Sequence, residues 1–239
     1  EFSIGLIVGP SGSGKTTLLS RFGQTRVINW KETAAIVSQF RGAEDAQQRL
    51  TAVGLNTVPS WMRPYHVLST GEKFRADLAR RLETGAIIDE FTGTVDRTVA
   101  CSCAHAVQRY IRKNHLRRVM FATCHYDVVP WLQPDWAFDT STGRIARRGS
   151  VQRPSIKLEI VPCGTKAWAA FSNHHYLSEA INPAARCWLA HWGDNLVGFT
   201  AALAFPNGNF KNGWREHRTV ILPDYQGLGI GVRLSDAIA

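Results

Sequence analysis

Nowhere in the 239 residues does an apolar run approach the ~20 residues that a helix needs to cross a bilayer, and no secretory leader is recognisable. A membrane-spanning role is therefore not expected, and the reading is of a cytoplasmic protein without a membrane partner. Cysteine is too sparse and too irregular for a disulfide framework: there are five, an odd number, which suits a reducing compartment. Cys101-Ser-Cys103-Ala-His105 and Cys124-His125 lack C-x-x-C spacing, so packed thiols are expected there, with zinc as the alternative. Acidic residues are also scarce. Against 28 Lys and Arg stand 19 Asp and Glu, giving a net charge of +9, which makes a polyanion such as nucleic acid a candidate partner. Nucleotide and coenzyme phosphates suit a basic chain equally well. The basic clusters 109–118 and 144–153 read more readily as solvated surface than as a nucleic-acid patch.

What the sequence does contain is a complete G-x-x-x-x-G-K-[ST] run, Gly9-Pro10-Ser11-Gly12-Ser13-Gly14-Lys15-Thr16-Thr17, directly after the apolar stretch Ile4 to Val8. Glycines let such a backbone curl until its N–H groups face phosphate oxygens. Lys15 is then placed to reach the β and γ phosphates, and the Thr16 hydroxyl to meet Mg²⁺. ATP and Mg²⁺ are the cofactors this motif leads one to expect.

Downstream, Val27 to Trp30 and Ala34 to Val37 read as short strands, the second ending at Ser38-Gln39-Phe40, and Ala43 to Val53 reads as a helix stopped by Gly54. Leu68-Ser69-Thr70-Gly71-Glu72-Lys73 leads into a helix over Phe74 to Leu82. Ala86 to Glu90 is an apolar strand ending in two carboxylates, Thr94-Val95-Asp96 turns into a helix that runs to about Asn114, and strand Val119 to Thr123 delivers Cys124 and His125. Strands with polar C-terminal ends, alternating with helices, describe a parallel α/β sheet with its site along one edge.

In that order the motifs resemble those of the ATP-binding-cassette (ABC) ATPases, over about the first 145 residues. The resemblance makes Gln39 the Q-loop residue, Leu68 to Glu72 the signature, Asp89-Glu90 the Walker B end, Asp96 the D-loop residue and His125 the switch histidine. It implies ATP contacts from Gly9, Ser11, Gly12, Ser13, Gly14, Lys15, Thr16, Thr17 and Gln39, and Mg²⁺ held by Thr16, Gln39 and Asp89. It further implies catalysis by Glu90 and His125, and a head-to-tail homodimer in which Ser69, Gly71, Glu72 and Asp96 close on the partner's ATP. Thr70 replaces the first signature glycine, the segments flanking Gln39 are short for the family, and no aromatic adenine-stacking loop precedes the first strand. A soluble cassette is expected rather than a transporter subunit.

Asp139 to Arg148 reads as a hairpin closing a first domain over 1–148, and 149–154 as a linker to a second over 155–239. There Ser155 to Ile160 alternates like a strand, and Lys166 to Leu177 reads as a helix with Trp168, Phe171 and Tyr176 on one face. Arg186 to Trp192 and Leu196 to Ala204 form a hairpin, Arg218 to Leu222 is a strand, and Val232 to Ala239 is helical. The stretch Gln226-Gly227-Leu228-Gly229-Ile230-Gly231 resembles the acyl-coenzyme-A loop of the GNAT acetyltransferases, Q/R-x-x-G-x-G/A. That resemblance implies acetyl-CoA or another acyl-CoA bound by Leu222, Gln226, Gly227, Leu228, Gly229, Ile230 and Gly231, and it stops where the chain does, before the family's later strands. Glu216 and His217 are candidates for deprotonating an amine, and His174 and His175 for the acceptor side, with solvated loop residues and structural or exposed helix-end histidines as the readier readings.

The expected fold is thus α/β, a P-loop NTPase sheet domain followed by a partial α+β GNAT domain. The function expected is ATP hydrolysis coupled to acyl transfer onto an unidentified amine; the alternative is a nucleic-acid-associated ATPase switch with a non-catalytic GNAT-like module.

Overall fold

A computed structural model describes residues 1–149, 155–175, 180–205 and 213–238. The chain forms two compact units, Glu1–Pro154 and Ser155–Ala239. Apart from Gly149, the expected linker lies outside the described residues, as do Tyr176 and Leu177.

In the first unit β1 (Ile4–Val8) leads through the phosphate loop into the short helix α1 (Lys15–Leu19). Helices α2 (Ala43–Ala52), α3 (Val58–Trp61) and α4 (Thr70–Arg81) then precede β2 (Ile87–Ile88). Helix α5 (Arg97–Lys113), β3 (Val119–Thr123), α6 (Val129–Leu132), β4 (Trp136–Asp139) and β5 (Arg144–Arg147) complete it. The sheet order is β2-β3-β1-β4-β5, parallel except for the β4–β5 pair. Every residue of β1 and β3 is buried, which is why both read as unbroken apolar runs: a parallel strand covered on both faces has no solvent side to alternate with. Close packing also explains Gly5, where a Cβ would lie 2.5 Å from Met120 Sδ and 2.6 Å from a Trp136 ring carbon.

Two expected strands are absent. Residues 24–30 form no regular structure and Val27 is 79% exposed, while Ile36–Gln39 is a 3₁₀ turn. Side chains of α4 replace a ladder: Arg80 and Arg81 donate to the carbonyls of Asn29 and Arg26, and Trp30 Nε1 donates to Asp77. The Trp30 ring stacks on Tyr65 at 5.2 Å, with the Arg80 guanidinium 4.7 Å from its centroid. Helix α4 starts four residues earlier than expected, at Thr70, and the strand before the carboxylates is two residues long rather than five.

The second unit is an antiparallel sheet in sequence order: β6 (Glu159–Cys163), β7 (Arg186–Trp192), β8 (Asn195–Ala204) and β9 (Trp214–Ile221). Helix α7 (Ile230–Asp236) follows. β6 is displaced toward the C-terminus of the expected strand and β9 begins four residues earlier. The expected helix from Lys166 is two 3₁₀ segments, Thr165–Ala170 and Ser172–His174. Trp168 and Phe171, three apart, eclipse on such a turn and both bury against Phe199. Among the described residues no helix is long and apolar enough to cross a membrane.

Candidate nucleotide and coenzyme sites

Parallel pairing brings the C-terminal ends of β1, β2, β3 and β4 to one edge. A cleft of about 510 Å³ opens there, lined by Ser11, Gly12, Gly14, Lys15, Thr16 and Thr17 on one side and by Asp89, Glu90, Phe91, Gly93 and Thr94 on the other. Thr123 and Cys124 close its floor. The loop takes its curl from glycine: Gly9, Gly12 and Gly14 have φ of 154°, 76° and 82°. Lys15 Nζ donates to Pro10 O at 2.6 Å, arching over the loop. The donor set fits a magnesium nucleotide: an ammonium and a glycine-rich loop suit phosphate, and the Thr16 hydroxyl and Asp89 carboxylate are the hard oxygens that Mg²⁺ takes.

Glu90 and Thr92 both lie in the left-handed region, with φ of 49° and 65°. The turn is held by Glu90 N–H donating to Asp89 Oδ1 at 2.8 Å, Phe91 N–H to Ala122 O at 2.8 Å and Gly93 N–H to Glu90 O at 2.9 Å. Backbone held in this costly region turns Glu90 off the strand direction and into the cleft wall.

The remaining expected residues lie elsewhere. Gln39 does not line the cleft; its amide bonds the backbone of Lys31 (2.7 and 3.2 Å) and Ala34 (3.0 Å), knotting its own loop. Ser69 caps α4 in a reciprocal box with Glu72, whose Oε1 also accepts from Ser60 at 2.5 Å. Burial pulls the Glu72 carboxyl upward, but the hydrogen bonds from Ser60 and Ser69 hold it below its usual range. Asp96 caps α5, accepting from Thr98 N–H at 2.8 Å and Val99 N–H at 3.2 Å. Gly71 lies in the first turn of α4, opposite Val95. His125 follows Cys124 in the chain but does not itself line the cleft; its amide donates to Thr123 Oγ1 at 3.1 Å. Burial and the Arg97 guanidinium hold its imidazole below the usual range, against the pull of Asp127. Arg97 itself grips Asp127 with two bonds of 2.5 and 2.9 Å.

Sequence reasoning missed Thr123, Phe91, Gly93, Thr94, the Arg97–Asp127 pair and Thr140. For Thr140 a signal exists, the hydroxyl-rich run Thr140-Ser141-Thr142 at the end of a strand parallel to β1. The cysteine groups hold no metal centre: among the described residues no three His, Cys, Asp or Glu side chains gather, and Cys103 is buried with its thiol pushed up to about 12.

In the second unit the turn after β9 runs from Pro223 through Tyr225 to Gly229, the residue before α7. Gly227 and Gly229 have φ of 93° and 77°, and Gln226 Nε2 donates to Ile221 O at 3.0 Å. Leu228 and Ile230 are buried, and Leu222 packs against the core, so these three side chains anchor the loop. Residues 154–239 match the family model described as acetyltransferase (GNAT) family. The second unit carries a GNAT domain.

Within this GNAT domain the β8–β9 register slips between Ala201 and Ala202, which leaves His217 as the extra residue of a bulge. Its Nε2 accepts from Asn182 N–H at 3.2 Å, and burial, then Arg218, Arg215 and His175, depress its basicity. Glu216 accepts from the Ser235 hydroxyl of α7. His174 ends the second 3₁₀ segment and His175 meets the Trp168 ring edge-on at 5.5 Å.

Among solved structures, the dimeric structure of a bacterial ABC transporter cassette aligns at 16% identity over 62% of this chain and 86% of that one, with a TM-score of 0.44. An ATP-binding cassette of an ABC transporter aligns at 16% over 61% and 80%, with a TM-score of 0.45. A protein titled a putative cobalt transport ATP-binding protein aligns at 20% over 68% and 74%, with a TM-score of 0.39. No curated protein matches the sequence.

Proposed function

We propose that the first unit binds and hydrolyses Mg–ATP and that the GNAT domain transfers an acyl group from acyl-CoA to an amine, the two activities being coupled. The observation that carries the ATPase reading is the meeting of Lys15 and Thr16 with Asp89 and Glu90 across one cleft. Lys15 pairs the β and γ phosphates, and Glu90 orients and polarises the attacking water. His125, its basicity lowered by burial and by Arg97, hydrogen-bonds the γ phosphate. Thr16 and Asp89 would hold Mg²⁺, which when bound would supply charge neutralisation at the phosphates. Gln39 would join them only by giving up its bonds to Lys31 and Ala34. Ser69, Gly71, Glu72 and Asp96 lie off their own cleft, and the proposal assigns them to the ATP of a second copy in an ATP-dependent homodimer.

On the GNAT side, the N–H groups of the 226–231 loop hold the coenzyme pyrophosphate. The acyl carbon passes from sulfur to the acceptor nitrogen, and the coenzyme leaves as the thiol.

Equilibrium titration with Mg–ATP and a phosphate-release assay test the first unit. Lys15→Ala is expected to abolish tight binding, whereas Glu90→Gln keeps binding and lowers turnover by about 100-fold or more. Hydrolysis by the glutamine variant at the parent rate overturns the role of Glu90.

A further inference from the structure

Thr140, one residue past β4, lies against the phosphate loop. Its amide donates to Val8 O at 2.9 Å, and its hydroxyl points at the same oxygen at 3.3 Å. With that proton committed, Thr140 Oγ1 accepts from the Ser13 hydroxyl, 2.6 Å away in a partly buried contact. The same oxygen explains Gly9: a Cβ there would stand 1.9 Å from Thr140 Oγ1. Ser13 lies between Gly12 and Gly14, both at positive φ, in the stretch of loop with the greatest backbone freedom. A tie at Ser13 therefore fixes the part of the loop that would otherwise cost most to order around an anion.

We propose that Thr140 is a positioning residue for nucleotide binding: its hydroxyl clasps Ser13 and holds the phosphate loop in its anion-receiving shape from the neighbouring strand. This rests on the Mg–ATP reading of the cleft. The clasp acts on the loop rather than on the water or the leaving group, so its loss falls in the affinity for ATP and for ADP alike, in KM and not in kcat.

The test is a double-mutant cycle on the full chain, read by Mg–ATP and Mg–ADP titration and by steady-state hydrolysis. Thr140→Val and Ser13→Ala are each expected to weaken binding about fivefold, the scale of one net hydrogen bond. The double variant should bind no more weakly than either single one, and Thr140→Ser, which keeps the hydroxyl, should bind like the parent. Additive losses overturn the clasp, as does parent affinity in Thr140→Val, or a Thr140→Ser variant as weak as the valine. Should the valine variant not fold, the serine variant and Ser13→Ala still decide: parent affinity in Ser13→Ala overturns the proposal. A parent chain that binds no ATP at all overturns the nucleotide reading, and the clasp with it. Lys15→Ala separates the cases by showing whether the cleft is the site of binding.

Discussion

Glu90 occupies a conformation that an L side chain adopts at a cost of about 1–2 kcal/mol, and glycine adopts it freely while losing about 0.5–1 kcal/mol to its unfolded-state entropy. Glu90→Gly is therefore expected to be as stable as the parent or up to about 1.5 kcal/mol more so, while hydrolysis is lost. Thermal unfolding and phosphate release on the same preparation check both halves, and a clear fall in melting temperature would show that Glu90 is not strained. His125 supplies a second residue-level test. Its folded pKa lies below the unfolded value of 6.5, so the unfolded chain binds more protons between the two. That stability difference is absent above the unfolded pKa and grows against the native state as pH falls through the window to the folded pKa. Hydrolysis should fall over the same range as His125 takes up its proton, giving the pH profile an acid limb. Arg97→Met removes a cation that depresses the imidazole and leaves Asp127, which raises it, so the limb should move to higher pH. An unmoved pH profile would mean that another group governs it.

At the scale of elements, two of the four residues that the resemblance reserves for a partner's nucleotide, Ser69 and Asp96, serve as N-caps in the single chain. Asp96→Ala should cost about 1 kcal/mol of unfolding free energy, the usual worth of such a cap, measurable by denaturant titration without nucleotide. Little or no loss would show that α5 draws its start from packing alone. Where the sequence was legible, chemistry and burial agreed. β1 and β3 are apolar because they are covered on both faces, and the phosphate loop is set by glycines whose φ only glycine readily takes. Where it was not, side chains distant in sequence decide. Val27 to Trp30 has strand-like composition but finds no neighbouring strand; the arginines of α4 take the carbonyls of Asn29 and of Arg26 just before the stretch instead. Gln39 carries no local sign that the Lys31 turn will claim its amide, and Thr140 meets Ser13 across 127 positions.

For the whole molecule, the decisive fact is that two loops shaped by glycines at positive φ sit in two separately compact units. Each takes its conformation from glycine, so each should be removable without the other. Gly229→Val places a branched side chain at φ 77° and is expected to abolish acyl-CoA binding while ATP affinity stays within about twofold of the parent. Calorimetric titration with each ligand checks it, and unchanged coenzyme affinity would sink the loop assignment.

The outermost strand of the first sheet, β5, has all four residues exposed and carries Arg144 and Arg147. An open strand edge invites another chain to extend the sheet. Antiparallel docking of two copies through this edge in the register that matches their ends would set Arg144 against Arg147 of the other copy, and like charges directly opposed repel. A basic stretch that the sequence offers as solvated surface thereby also disfavours edge-to-edge pairing of copies in that register.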